Sequence, residues 1–63
     1  MKSIHIIQNG EKVGYIKLKQ NKTGLYEVSL NLFGVAIPAD FATFDNLEKA
    51  SAYFEKLLKE YSY

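Results

Sequence analysis

Apolar and polar residues alternate along the first half of the chain, which is typical of strands with one buried face. The clearest alternation is at residues 25–32, where Tyr26, Val28 and Leu30 are separated by polar residues. Two earlier segments, residues 3–8 and 13–19, also carry large aliphatic residues at even positions. We therefore predict three strands, at residues 3–8, 13–19 and 25–32, whose even-numbered side chains form the core.

The turn between the first two strands is indicated by Asn9-Gly10, a strong hairpin signal. A two-residue loop would pair Gln8 with Glu11 and would place even-numbered residues opposite odd-numbered ones. A slip of one residue moves every side chain of a strand to the other face. An odd loop length, such as a three-residue turn that ends in Gly10 as a bulge, keeps all even positions together, and we predict the odd loop.

A period of three to four residues in the last third of the chain predicts a helix at about residues 46–61. We expect Asp45 to cap this helix, with Glu48 three residues further on, in a variant of the capping box. The helix should cover the even face of the sheet. The residues expected on its buried face are Leu47, Ala50, Phe54, Leu57, Leu58 and Tyr61.

Residues 33–44 leave two arrangements open. A short fourth strand can form at residues 41–44 and lead into the helix, whereas Pro38 cannot donate to a ladder and marks an edge or a loop. Residues 35–37 either pair with the third strand or form a protruding apolar loop. The predicted fold is a single α+β domain, residues 1–63, with an antiparallel three- to four-stranded sheet packed on one C-terminal helix in two layers.

Composition limits the chemistry of this domain. The 63 residues include eight lysines, no arginine and no cysteine, and the net charge is +1. Without cysteine there is neither a disulfide scaffold nor a thiolate metal site, and His5 alone cannot anchor zinc. The N-terminal segment lacks the apolar run of a signal peptide, and no apolar stretch is long enough to cross a bilayer. We expect a cytoplasmic protein with no membrane partner, no metal and no cofactor.

Catalysis requires a nucleophile with a base, paired carboxylates in a cleft, or a metal cluster. The sequence places no acid or nucleophile in a pattern with His5, and its four glycines are too scattered for a phosphate-binding loop. Asp40 and Asp45 are explained by turn and capping roles. We therefore expect that the protein is not an enzyme.

The face of the sheet opposite the helix is the candidate binding surface. The residues expected on this open face are His5, Ile7, Val13, Tyr15, Lys17, Lys19, Glu27, Ser29 and Asn31. An exposed apolar group with a polar rim suggests a contact surface, and the candidate protein interface comprises Ile7, Val13, Tyr15, Phe33 and Val35. Aromatic rings that alternate with lysines also suit nucleic acid, because rings stack on bases and ammonium groups bind phosphate. The candidate nucleic-acid or phosphate contacts are Lys12, Tyr15, Lys17, Lys19 and His5.

The stretch from Phe41 to Phe54, Phe-Ala-Thr-Phe-Asp-Asn-Leu-Glu-Lys-Ala-Ser-Ala-Tyr-Phe, resembles the strand-to-helix junction of a DNA-binding family. That family comprises the arm-binding domain of tyrosine-type integrases and related plant transcription-factor domains. The resemblance covers residues 12–61 in layout and implies three antiparallel strands before a C-terminal helix, with the open sheet face in the major groove. Tyr15, Lys17 and Lys19 occupy the positions of such contacts, but the family's arginine-bearing strands are missing.

These observations lead to three hypotheses of function. The near-neutral charge favours a non-catalytic protein-interaction module, such as a small inhibitor or adaptor of the kind that mobile genetic elements encode, bound to a protein partner or to itself. The alternation of tyrosine and lysine favours a binder of nucleic acid or of a nucleotide-like ligand through the open face. The third hypothesis is a structural homo-oligomer whose exposed patch is its own interface.

Overall fold

The computed structural model describes residues 2–63 and shows a four-stranded antiparallel sheet followed by one helix. The strand order is β1-β2-β3-β4, so each strand pairs with its neighbour in sequence. The predicted α+β class is therefore confirmed, and the fourth strand is present. The elements are β1 (Lys2–Gln8), β2 (Glu11–Gln20), β3 (Tyr26–Leu32), β4 (Asp40–Phe44) and α1 (Leu47–Tyr61).

The β1–β2 hairpin closes with a two-residue loop, so the prediction of an odd loop is wrong. Gln8 pairs with Glu11, and the loop residues Asn9 and Gly10 have φ angles of 53° and 82°. Positive φ at both central positions is the signature of the type I′ turn, whose twist matches that of the flanking strands. The asparagine and glycine thus form the tight turn that their sequence signal indicates.

A β-bulge in β2 brings even-numbered residues of β1 and β2 back opposite each other, which the two-residue loop alone would prevent. Ile7 pairs with Lys12, but Ile6 pairs with Gly14, so Val13 is the extra residue of the bulge. From there on, even residues of β1 lie opposite even residues of β2, as in the pair of Ile4 with Ile16. The predicted even face is consequently correct, although the inserted residue lies in the strand and not in the turn.

The core lies between the even face of the sheet and the helix. Its fully buried members are Ile6, Ile16, Leu18, Val28, Leu30, Ala50, Phe54 and Leu57. Two residues that we expected to be buried are exposed instead, Ile4 by 39% and Leu47 by 42%. The helix lies chiefly over β2 and β3, and a gap of about 260 Å³, lined by Lys2, Leu18, Leu47 and Ser51, separates its first turns from the start of β1.

The helix is capped by Asn46 and not by Asp45. The Asn46 side chain accepts a hydrogen bond of 2.8 Å from the main-chain N–H of Lys49, as an N-cap residue does. Asp45 lies one residue too early for this role, and its carboxylate is 3.5 Å from Lys49 Nζ on the helix surface. Glu48 occupies the first turn, where its charge is favourable to the helix dipole.

The last residue of the described chain, Tyr63, returns to the edge of β1. Its N–H donates to Ile7 O at 2.9 Å, and its own main-chain oxygen accepts from the N–H of Asn9 at 2.8 Å. The side-chain amide of Gln8 also donates to Tyr61 O at 2.7 Å. The segment after the helix therefore satisfies the outer main-chain groups at the hairpin end of β1.

Residues 33–39 form the connection between β3 and β4, which decides between the two arrangements left open by the sequence. The N–H of Phe33 still donates to Val13 O, at 2.9 Å, and the chain then turns at Gly34, whose φ is 82°. The rest of the connection is exposed, with Val35 50% and Ile37 73% accessible to solvent. It is therefore a protruding apolar loop. Within residues 2–63, the only helix is too short and too polar to cross a membrane.

Candidate functional site: the open face of the sheet

The open face divides into two chemically different ends. Strand pairing places His5 beside Tyr15 and Asn31 in one row, and Ser3, Lys17, Ser29 and Phe41 in the next. We call the part near the β1–β2 turn and the β3–β4 loop the apolar end. It comprises Ile7, Tyr15, Phe33 and Pro38, then Phe41 at its boundary in the row of Lys17, and the exposed residues Val35 and Ile37 of the adjoining loop. We call the opposite part the charged end, which consists of Lys17, Lys19 and Glu27.

The apolar end exposes large side chains that no element covers among the described residues. Phe33 is 55% exposed, Phe41 54% and Ile7 39%. The loop residues Val35 and Ile37 are also exposed. The ring of Phe33 lies 6.2 Å from that of His5, with the planes tilted by 60°. Aromatic side chains held in this way present contact area at low entropic cost, because they have few rotatable bonds.

Val13 does not belong to this surface, which corrects our prediction. As the extra residue of the bulge it is partly buried and packs against the core cluster. The apolar group predicted from Ile7, Val13 and Tyr15 is therefore not formed as such. Ile7 and Tyr15 remain on the open face, and Phe33 lies with them there.

A shallow concavity of about 200 Å³ crosses the open face from the apolar end to the charged end. Its lining residues are Tyr15, Lys17, Lys19, Glu27, Ser29, Asn31, Pro38 and Phe41. Three residues proposed from the sequence, Tyr15, Lys17 and Lys19, thus share one site. Pro38 and Phe41 were missed as site residues. If the rule that odd-numbered residues lie on the open face is extended to the fourth strand, Phe41 is placed on this face. In the structure Phe41 pairs with Ser29.

At the charged end, most polar groups already have partners within the chain. Lys19 Nζ is 3.7 Å from the carboxylate of Glu27, which also accepts a hydrogen bond of 3.0 Å from the side-chain amide of Asn21. The amide of Asn31 donates to Ser29 Oγ at 3.2 Å. Lys12 pairs with Ile7 and so shares its face. Among residues 2–63, neither Lys12 nor Lys17 has a carboxylate within 4.0 Å. Two lysines of the open face are therefore available to an acidic ligand, and the third, Lys19, is already paired with Glu27.

The most perturbed titratable group lies on the opposite side of the sheet. Tyr53 Oη donates a hydrogen bond of 2.6 Å to Asp40 Oδ1, and this bond, together with desolvation and the aspartate charge, raises the pKa of Tyr53 to about 12. The phenol therefore stays protonated and links α1 to β4. Within the described residues no three His, Cys, Asp or Glu side chains lie close enough together to hold a metal ion.

No protein-family model, curated protein or solved structure matches this chain. The resemblance to the arm-binding domain of integrases therefore stays a prediction. The layout differs from that family in one respect, because a fourth strand, β4, precedes the helix and forms one edge of the sheet.

Proposed function

We propose that this domain is a non-catalytic protein-binding module whose contact surface is the apolar end of the open face. The observation that carries the proposal is the set of exposed apolar side chains on the face that the helix leaves bare and on the β3–β4 loop beside it. Monomeric proteins rarely expose contiguous apolar patches with a polar rim unless the patch binds something. Aromatic residues are also enriched at the centres of protein interfaces, where lysines are depleted.

The distribution of charge favours a protein over a nucleic acid as the ligand. A lysine that neutralises a phosphate releases a counterion from the nucleic acid and so strengthens binding, but Lys19 is already paired with Glu27. Only Lys12 and Lys17 remain on this face without a nearby carboxylate. Two lysines support a weak electrostatic attraction, whereas the exposed apolar area supports the larger contribution to binding free energy.

The same geometry describes the chemistry of the partner. The exposed side chains of Phe33, Ile37 and Phe41 are complementary to a partner surface whose centre is apolar or aromatic and excludes water. Lys17 lines the same concavity as Phe41, and Lys12 pairs with Ile7, so both lysines are complementary to acidic groups at the partner's rim. We therefore infer a partner with an exposed apolar patch next to aspartate or glutamate side chains, which a small inhibitor or adaptor would cover.

Site-specific photocrosslinking tests this proposal. Benzoylphenylalanine is introduced in place of Ile37, which is 73% exposed and tolerates a larger side chain. A matched control carries the same group in place of Lys56, on the solvent-exposed side of α1. In cells that express the protein, we expect a discrete protein adduct from position 37 and none from position 56.

Substitutions then show whether the adduct depends on the apolar end. Phe33→Ser should abolish it, whereas Lys56→Glu, which changes a lysine outside the open face, should leave it unchanged. Absence of a position-specific adduct, or an adduct that nuclease digestion removes, would contradict the protein-binding proposal.

Nucleic-acid binding is the second candidate, and one observation favours it. Tyr15, Phe41 and the two lysines Lys17 and Lys19 line the same concavity, so that stacking and phosphate contacts could be made together. This function predicts an affinity for mixed oligonucleotides that falls steeply with salt. Lys17→Glu should abolish such binding, and the matched change Lys56→Glu should not.

A further inference from the structure

The outer edge of β1 lacks the protection that natural edge strands usually carry. Such edges are typically short, charged, bulged, interrupted by proline or covered. β1 is seven residues long, and from residue 2 to residue 6 it is regular, contains no proline and carries a single charged residue, Lys2. The bulge lies in β2, beyond Ile6. This segment is therefore a template for a further strand.

The direction of the main-chain groups defines which residues offer hydrogen bonds. Ile7 O points outward, since it accepts from the N–H of Tyr63. Neighbouring residues of a strand direct their N–H and C=O groups to opposite sides, so Ser3 and His5 also point outward, whereas Ile4 and Ile6 point to β2. Within residues 2–63, Ser3 and His5 thus present unpaired main-chain donors and acceptors along the edge.

Tyr63 limits where a second strand can lie. It occupies the edge beside Gln8, where it bonds to Ile7 and Asn9, so an added strand can align only with residues 2–6. An antiparallel copy of β1 satisfies this limit when its two-fold axis passes through Ile4. A register centred on His5 would instead place residue 2 of the copy on Tyr63.

We propose that the domain forms a symmetric dimer by antiparallel pairing of β1 with β1 of a second copy about Ile4. Ser3 then pairs with His5 of the second copy, and His5 with its Ser3, each pair exchanging both of its hydrogen bonds. The two four-stranded sheets become one continuous sheet, with both helices on the same face.

The side chains along the edge of β1 are complementary to the same side chains of the second copy. Ile4 is 39% exposed on the helix side of the sheet, and the two-fold axis brings the two Ile4 side chains together and covers them. Lys2 lies opposite Ile6 of the second copy, so that the two ammonium groups are at opposite ends of the paired segment. Lys2 also has Glu55 of its own chain at 3.7 Å. No like charges therefore face each other across the edge.

Cysteine cross-linking tests the register, because the chain contains no cysteine of its own. At a non-hydrogen-bonded antiparallel pair the Cα atoms are about 4.5 Å apart, within the range of about 4.4–6.8 Å that a disulfide spans. Ile4→Cys should form a disulfide-linked dimer under mild oxidation. Leu25→Cys is the matched control, since Leu25 is also 39% exposed but lies in the β2–β3 turn.

We expect Ile4→Cys to cross-link faster than Leu25→Cys by about tenfold or more, because pairing holds the two thiols at a high effective concentration. Adding His5→Pro, which removes an outward N–H and leaves the hydrogen bonds to β2 in place, should reduce the rate to that of the control. Circular dichroism of each variant verifies the fold, and sedimentation equilibrium of the unmodified protein should show a dimer.

Equal cross-linking rates for the two cysteine variants, or a monomer at millimolar concentration, would overturn the proposed dimer. The outcome is separable from that of the proposed function. The disulfide rate of Ile4→Cys reports on the edge of β1, on the helix side of the sheet, and the photocrosslink from position 37 reports on the β3–β4 loop.

Discussion

Gly14 is the residue whose substitution tests the bulge most directly. A Cβ atom at this position would collide with the carbonyl oxygen of Asn31, and the next nearest atoms, Leu32 Cα and Asn31 C, lie at 3.0 and 3.1 Å. All three obstacles belong to the main chain of β3, so no side-chain rotation relieves the clash. Gly14→Ala must therefore push β2 and β3 apart next to the bulge.

The magnitude follows from two opposing effects. Overpacking against a rigid neighbour costs about 3 kcal/mol, and the loss of glycine's freedom in the unfolded chain returns about 0.4–1 kcal/mol. We expect a net loss of about 2 kcal/mol. A domain of 63 residues has a total stability of about 3–9 kcal/mol, so this one methyl group removes a large share of it.

Urea unfolding followed by far-ultraviolet circular dichroism measures the effect. With a slope of about 1 kcal/mol per molar urea for a chain of this size, the midpoint should fall by about 2 M. Gly10→Ala is the control, because its Cβ would meet nothing within 4 Å and its cost comes only from the φ of 82°. That cost is about 1 kcal/mol, and D-alanine at position 10, introduced by chemical synthesis, should not incur it. A midpoint for Gly14→Ala close to that of the wild type would refute the close approach of the strands at the bulge.

Four further substitutions test the helix and its contacts. Asn46→Ala should lower the free energy of unfolding by about 1 kcal/mol through loss of the cap, and Asp45→Ala by less, in urea titrations. Tyr53→Phe should cost about 1 kcal/mol, because the bond to Asp40 is charge-assisted but only partly buried. The pKa of Tyr53 is raised from 10.0 to about 12. The stabilisation by the bond to Asp40 is therefore complete below pH 10 and is lost as the pH rises through 12. Above pH 12 the wild type should no longer be more stable than Tyr53→Phe. Phe54→Ala should cost about 3–5 kcal/mol, enough to leave the chain largely unfolded by circular dichroism.

The candidate site was partly predictable from the sequence, because its strands alternate so regularly. Odd positions of β2 identified Tyr15, Lys17 and Lys19, which line one concavity in the structure. Pro38 and Phe41 join them only through the pairing of β4 with β3. Residues 33–40 contain no periodic signal from which that pairing could be read. The ion pair of Lys19 likewise depends on its cross-strand neighbour, Glu27.

The position of the extra residue shows where a pattern stops being informative. A three-residue turn and a two-residue turn with a bulge give the same parity, so the alternation could not distinguish them. The difference moves Val13 from the open face to the core. Asn46 and Asp45 are equally good capping types, and only the backbone path into α1 selects Asn46.

By itself, the sequence determined the first three strands, the helix, the face of each that is buried, and the class of fold, because periodicities of two and of three to four residues are local and record burial directly. Tertiary structure decided the bulge, the loop between β3 and β4, and the placement of the helix over β2 and β3, which leaves Ile4 at an exposed edge. These features depend on contacts between residues far apart in the chain. The proposed binding surface and the proposed dimer edge both arise from such contacts.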